Sequence, residues 1–187
     1  MPALFVDGTG GGVKVGAMAP DFTLKTSTNE DWKLSDHLGS VTVLLFYPQN
    51  ETLVCTKQLC SVRDHWEDYL ETKATIVGVS PADPEEHFQF AKRRQLPIPL
   101  LADPGRSITR IFGRHWLFPI NLTRAVVVID ANGVVRNCDI MLRAFRPSDE
   151  KIITDIYAAR GDALNEQYET LRARVSGNSV SGRVESL

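Results

Sequence analysis

Apolar positions fall in two rhythms along the chain. Residues 41–47 (VTVLLFY) form an unbroken apolar, β-branched and aromatic run that stops at Pro48, the pattern of a strand buried on both faces. Residues 74–80 (ATIVGVS) and 125–129 (AVVVI) repeat that character. The latter enters Asp130-Ala131-Asn132-Gly133, an Asn-Gly hairpin signal, and Val134 and Val135 begin a returning strand. Alternation after Ala19-Pro20-Asp21, through Phe22 and Leu24, predicts a further short strand.

Helical spacing fills the gaps. Cys55, Leu59, Val62, Trp66 and Tyr69 step by four, three, four and three, which sets them on one stripe. Pro84-Glu85-Glu86 opens a helix over residues 84–95, with Phe88 and Ala91 or Leu96 expected to face inward. Residues 107–112 form a short third helix. Ser148-Asp149-Glu150 starts a fourth, with acids where the helix dipole favours them. Ile152, Ile156 and Ala159, then Leu164, Tyr168 and Leu171, continue it past a weak point at Gly161. Strands alternating with helices, plus one hairpin, predict an α/β sandwich with a mixed central sheet.

At 187 residues the chain is a natural length for one domain. The expected layout is a flexible lead-in over 1–12, a single domain over 13–175 and a disordered tail over 176–187. Apolar and charged fractions of 43% and 24% match globular averages, which argues against wholesale disorder. A net charge of -2 offers no footprint for nucleic acid, and Lys92-Arg93-Arg94 reads as the solvated end of a helix. The glycines of residues 8–12 lack the Lys-Ser/Thr of a phosphate loop. No secretory signal is visible at the N-terminus, and no apolar run approaches the ~18 residues of a membrane span. A soluble, cytoplasmic protein is expected, so the sequons at Asn50 and Asn121 carry no weight.

Three cysteines, Cys55, Cys60 and Cys138, are too few for a disulfide scaffold. Cys55 follows a buried strand, Pro48 and a short polar loop, with Thr52 placed to cap the helix that begins there. Unpaired N–H groups and the positive dipole end of a first helical turn stabilise a thiolate. Cysteine is also among the most buried residue types, and Cys55 lies on its helix's apolar stripe. Position alone leaves a structural cysteine and an activated nucleophile both open.

Pro48-x-x-x-Thr52-x-x-Cys55 resembles the active-site signature of the peroxiredoxins, the AhpC/TSA superfamily. Phe46-Tyr47-Pro48 and Cys55-Thr56-Lys57-x-x-Cys60-Ser61-x-Arg63-Asp64 are similar to its bacterioferritin-comigratory branch, peroxiredoxin Q. Ala19-Pro20-Asp21-Phe22-x-Leu24, Leu34-Ser35-Asp36, Ala102-Asp103-Pro104 and Arg124-x-x-x-Val128-Ile129-Asp130-x-x-Gly133 extend the likeness over roughly residues 13 to 160.

The resemblance implies a thioredoxin-like fold and a thiol peroxidase acting on hydrogen peroxide or organic hydroperoxides. It casts Cys55 as the peroxidatic thiolate, Thr52 as a hydrogen-bonding partner of the peroxide and Pro48 as the shield of the pocket. Arg124 is the cation that holds thiolate and peroxide, a role its fixed charge and several donors suit. The segment 116–120 (WLFPI) departs from the family pattern, which leaves Arg114 and Arg110 as fallback cations. That apolar segment is a candidate pocket lining or subunit contact.

The resemblance also pairs Cys60 with Cys55 in an intramolecular disulfide, reopened by thioredoxin or a similar dithiol. On an intact helix the two would lie about 140° and about 7.5 Å apart. A disulfide does not span that separation, so the helix must unwind locally first. Cys138 is read as structural. No metal, nucleotide or organic cofactor is implied, and monomer and homodimer both fit.

Three rival readings are weaker. A thiol-disulfide oxidoreductase of the same fold class wants Cys-x-x-Cys, whereas four residues separate Cys55 from Cys60. A metal module built on Cys55, Cys60 and His65 lacks a fourth ligand at sensible spacing. An interaction domain that merely keeps the fold would not need Pro48, Thr52, Cys55 and Arg124 together.

Overall fold

The computed structural model describes residues 13–51, 53–115 and 117–161. The lead-in over 1–12, the tail and the helical pattern beyond residue 161 lie outside them, as do Thr52 and Trp116.

Seven strands make one mixed sheet: β1 (Thr23–Thr26), β2 (Asp31–Lys33), β3 (Thr42–Phe46), β4 (Thr75–Ser80), β5 (Leu100–Ala102), β6 (Thr123–Ile129) and β7 (Val135–Leu142), in the spatial order β2-β1-β5-β4-β3-β6-β7. β3 runs parallel to β4 and β4 to β5, while β6 pairs antiparallel with both β3 and β7. The three strands foreseen from unbroken apolar runs are the central ones, buried at nearly every position.

Side chains alternate across this sheet and fill two cores. Val43, Leu45, Val126 and Val128 face the helices α1 (Leu53–Asp64), α2 (Trp66–Glu71), α3 (Pro84–Arg94) and α5 (Asp149–Arg160). Leu44, Phe46, Val77, Val127 and Ile129 face α4 (Ser107–Phe112) and the N-terminal residues Phe22, Trp32 and Leu34.

Several helices carry their signals locally. Asp83 accepts from the Glu86 N–H while the Glu86 carboxylate accepts from the Asp83 N–H, with Pro84 in the first turn. Ser148 caps α5, and Asp103 accepts from the N–H and hydroxyl of Thr109 at the start of α4. Glycine is required at one central point. A Cβ on Gly78 of β4 would stand 2.7 Å from Leu100 and 3.2 Å from the Tyr47 ring, so its absence lets that ring lie against the sheet.

Three expectations need correction. The stripe from Cys55 to Tyr69 is not one helix: His65, at φ -109° and ψ 26°, breaks it into α1 and α2. Ala91 and Leu96 pack against the core as expected, but the buried residues of α3 are His87 and Phe90, not Phe88, which is 40% exposed. α5 does not run through Gly161, which ends it in the left-handed region at φ 67°.

Candidate active site

The antiparallel pairing of β6 with β3 assembles the site. Phe46, the last residue of β3, pairs with Ala125, so the start of β6 lies beside the point where the chain leaves β3 for α1. Arg124 precedes Ala125 and shares the parity of Val126 and Val128, whose face is the one α1 covers. It therefore meets Cys55 from a separation of 69 residues.

Cys55 is the third residue of α1, and both it and Arg124 are 1% exposed. The Arg124 Nη2 donates to Cys55 Sγ at 3.1 Å. Nη1 donates to the Gln58 Oε1, one turn along α1, while Nε has no partner among the described residues. Burial pushes the guanidinium below its ordinary value, and Cys55 pulls it partly back. Arg146 also stands close enough to act on Arg124 by repulsion. A buried cation that spends one donor on a thiol sulfur and another on an amide suits a sulfur that carries negative charge.

Pro48 is buried just past the end of β3, and Tyr47 before it is 2% exposed. The Tyr47 hydroxyl donates to the Asn50 Oδ1 at 2.9 Å and lies 3.4 Å from the Nδ1 of the buried His87. Desolvation holds the Tyr47 phenol far above its usual range, so it stays a neutral donor. Burial likewise pushes His87 below the ordinary imidazole value, with hydrogen bonds from the ring to the Ser80 and Leu101 backbone opposing it.

Cys60 is half-buried, and all three cysteines are free thiols. Its neighbour Ser61 donates to the Asp149 carboxylate at the start of α5, which also accepts from the Tyr69 hydroxyl at 2.8 Å. Cys138 sits in β7, facing the Phe112 carbonyl at 3.6 Å. Burial pushes its thiol up to about 11, and the Asp139 carboxylate adds to that.

The structure thus brings Cys55 and Arg124 together. Of the fallback cations, Arg114 is exposed and Arg110 donates to the Gly105 carbonyl, so neither takes Arg124's place. In segment 116–120, Leu117 is exposed and Phe118 stacks on His115. Gln58, Asn50, His87 and Arg146 are additions that sequence reasoning missed. Gln58 alone left a signal, as the polar residue one turn from Cys55. Among the described residues no three His, Cys, Asp or Glu side chains converge as metal ligands, and His65 contacts the Ser61 carbonyl at 2.9 Å instead. No described helix is long and apolar enough to cross a membrane.

A family model described as AhpC/TSA matches residues 15–138. The chain is 38% identical over 129 residues to a protein named peroxiredoxin Q, chloroplastic, of Gentiana triflora, covering 66% of this chain and 58% of that one. It therefore spans less than two thirds of that relative's length. Among solved structures, peroxidoxin BcpB of Mycobacterium tuberculosis matches with a TM-score of 0.67 at 29% identity, over 79% of this chain and 99% of that one. A reduced 2-Cys peroxiredoxin of Plasmodium vivax matches in fold, with a TM-score of 0.69 at 23% identity, over 84% of this chain and 86% of that one. The mixed sheet and its helices are a thioredoxin-like fold.

Proposed function

Since the chain belongs to the AhpC/TSA family, we propose that it is a peroxiredoxin: a thiol peroxidase that reduces hydrogen peroxide and organic hydroperoxides. The observation that carries this reading is the buried Arg124 Nη2 at 3.1 Å from Cys55 Sγ, in the first turn of α1. Fixed positive charge and a helix N-terminus both favour thiolate over thiol.

In the proposed reaction the Cys55 thiolate attacks the terminal oxygen of the hydroperoxide. An S–O bond forms, the O–O bond breaks, and the departing alkoxide or hydroxide takes a proton and leaves as alcohol or water. Cys55 becomes a sulfenic acid. Arg124 steadies the charge that builds on the leaving oxygen. Thr52 is assigned the hydrogen bond that aligns the peroxide, and Pro48 the exclusion of water.

The Cys60 thiolate then attacks the Cys55 sulfur. An S–S bond forms, the S–O bond breaks, and hydroxide leaves as water. Thioredoxin or a similar dithiol reduces the disulfide and restores both thiols. Sulfur carries all the redox change, so no cofactor is assigned. We place the protein in the cytoplasm, as a monomer or homodimer.

The test is peroxide consumption with a thioredoxin system or dithiothreitol, in wild type, Cys55→Ser and Cys60→Ser. Cys55→Ser is expected to abolish turnover, and Cys60→Ser to react once without recycling through thioredoxin. Absence of consumption by wild type with every donor would overturn the assignment.

A further inference from the structure

Asn50 and Glu51, the last described residues before α1, are both tied to α3. Asn50 reaches its first half, with Nδ2 lying 3.4 Å from the His87 Nδ1, and Oδ1 accepts from the Tyr47 hydroxyl. Glu51 reaches its last turn. Arg93 donates from Nε and Nη2 to Oε1 at 3.0 and 2.7 Å, and Arg94 donates from Nη2 to Oε2 at 2.9 Å. Hydrogen bonds from Arg94, then Arg93, hold the Glu51 carboxyl below the usual glutamate range.

The backbone at Glu51 is strained, with φ at +58° in the left-handed region that a glutamate rarely adopts. That conformation persists only where surrounding contacts hold it. Here those contacts are solvent-facing and electrostatic, because the Glu51, Arg93 and Arg94 side chains are each more than a third exposed. The other end of α1 is anchored differently. Ser61, next to Cys60, donates to Asp149, and the Arg63 Nη1 donates to the Arg94 carbonyl at 2.7 Å.

We propose that Glu51, clamped by Arg93 and Arg94, is a positioning residue that latches the Cys55 end of α1 in its folded, peroxide-reactive geometry, and that its release sets how fast Cys55 travels to an anchored Cys60. The proposal rests on the peroxidase reading above. While the latch is closed, Cys55 sulfenic acid stays apart from Cys60 and exposed to a second peroxide. The sulfenate sulfur then attacks the terminal oxygen of that second molecule: an S–O bond forms, the O–O bond breaks, and the leaving oxygen takes a proton to depart as water or alcohol, which leaves sulfinic acid. When the latch opens, the strained residue relaxes, the first turns of α1 unwind, and the disulfide forms with loss of water.

Rapid-quench mass spectrometry of the Cys55 sulfenic, disulfide and sulfinic forms tests this on the full chain. Glu51→Gln, and separately the pair Arg93→Gln and Arg94→Gln, are expected to speed disulfide formation by about fivefold, the scale of a small exposed ion-pair network. The sulfinic fraction in excess peroxide falls in proportion, while peroxide attack slows slightly because less Cys55 is in place. Glu51→Lys combined with Arg93→Glu and Arg94→Glu returns both steps toward wild type. Raising salt from about 0.05 M to about 1 M mimics the variant in wild type and has little effect on Glu51→Gln.

Slowing of both steps together, or equal salt responses in wild type and variant, would overturn the latch. Amide exchange over residues 49–58 reads the latch without any peroxide. It is expected to quicken about fivefold in Glu51→Gln, and unchanged exchange overturns the latch even if the enzyme turns over. Wild type that shows this exchange behaviour but never oxidises Cys55 overturns the peroxidase reading instead.

Discussion

Arg124 presents more donors than the described residues around it accept. One N–H goes to Cys55, one to the Gln58 amide oxygen, and Nε has no partner among the described residues. Gln58 is the group that fixes how the guanidinium is turned, and Gln58→Met keeps its bulk while removing the acceptor. A hydrogen bond to a buried charge contributes about 1.5–3 kcal/mol, so stopped-flow rates of peroxide attack are expected to fall by at least about tenfold. An unchanged rate would mean that packing alone aims Arg124. The three thiols also part company on environment. Cys138, raised to about 11 by burial with the Asp139 carboxylate adding to it, stays protonated at neutral pH. Cys138→Ala is expected to leave peroxide turnover within about twofold, at a cost of roughly 1 kcal/mol in urea unfolding. A collapse of turnover would give Cys138 a part in the chemistry.

At the scale of elements, the β6–β7 hairpin keeps Arg124 in register, and Asp130 governs its turn. Its Oδ1 accepts from the Asn132 and Val134 N–H groups at 2.9 Å each, and Oδ2 from the Arg136 Nε at 2.7 Å. Burial alone would raise this carboxyl, but the Val134 N–H, Arg136 and the Asn132 N–H together hold it below the usual aspartate range. A carboxyl that titrates lower in the folded chain stabilises it fully above the unfolded value of about 3.9, and that contribution fades as pH falls through the folded value. Asp130→Asn is therefore expected to lose roughly 1–2 kcal/mol in urea unfolding at neutral pH, with wild type and variant converging on acidification. A gap that persists below pH ~2 would point to shape rather than charge.

Across the whole molecule, what the sequence disclosed follows from how much of each element's burial is local. β3, β4 and β6 lie buried on both faces and so carry unbroken apolar runs. β2 and β5 have three residues each, too few for a period, whereas the Asn132-Gly133 turn announces β7 even though Arg136, Asn137 and Asp139 interrupt its apolar pattern. No Pro or Gly announces the break at His65. Phe88 misleads because hydrophobicity favours the core while its place on α3 faces solvent, and the buried polar position fell to His87. Cys55 is legible as a strand-loop-helix junction. Arg124 is not, because its parity depends on pairing with a strand some 80 residues earlier, and only the family likeness pointed to it. The links of Asn50 to His87 and Glu51 to Arg93 join residues about 40 apart and leave no local mark.

That long span between Cys55 and Arg124 bears on synthesis. The ribosome releases the cysteine and the whole of α1 well before the arginine exists, and β6 must also leave the exit tunnel before it can slot beside β3. A nascent chain thus exposes a cysteine lacking its cation. On the peroxidase reading, sensitivity to oxidant switches on only with completion of the sheet, which shields half-made molecules from damage while they are still being translated.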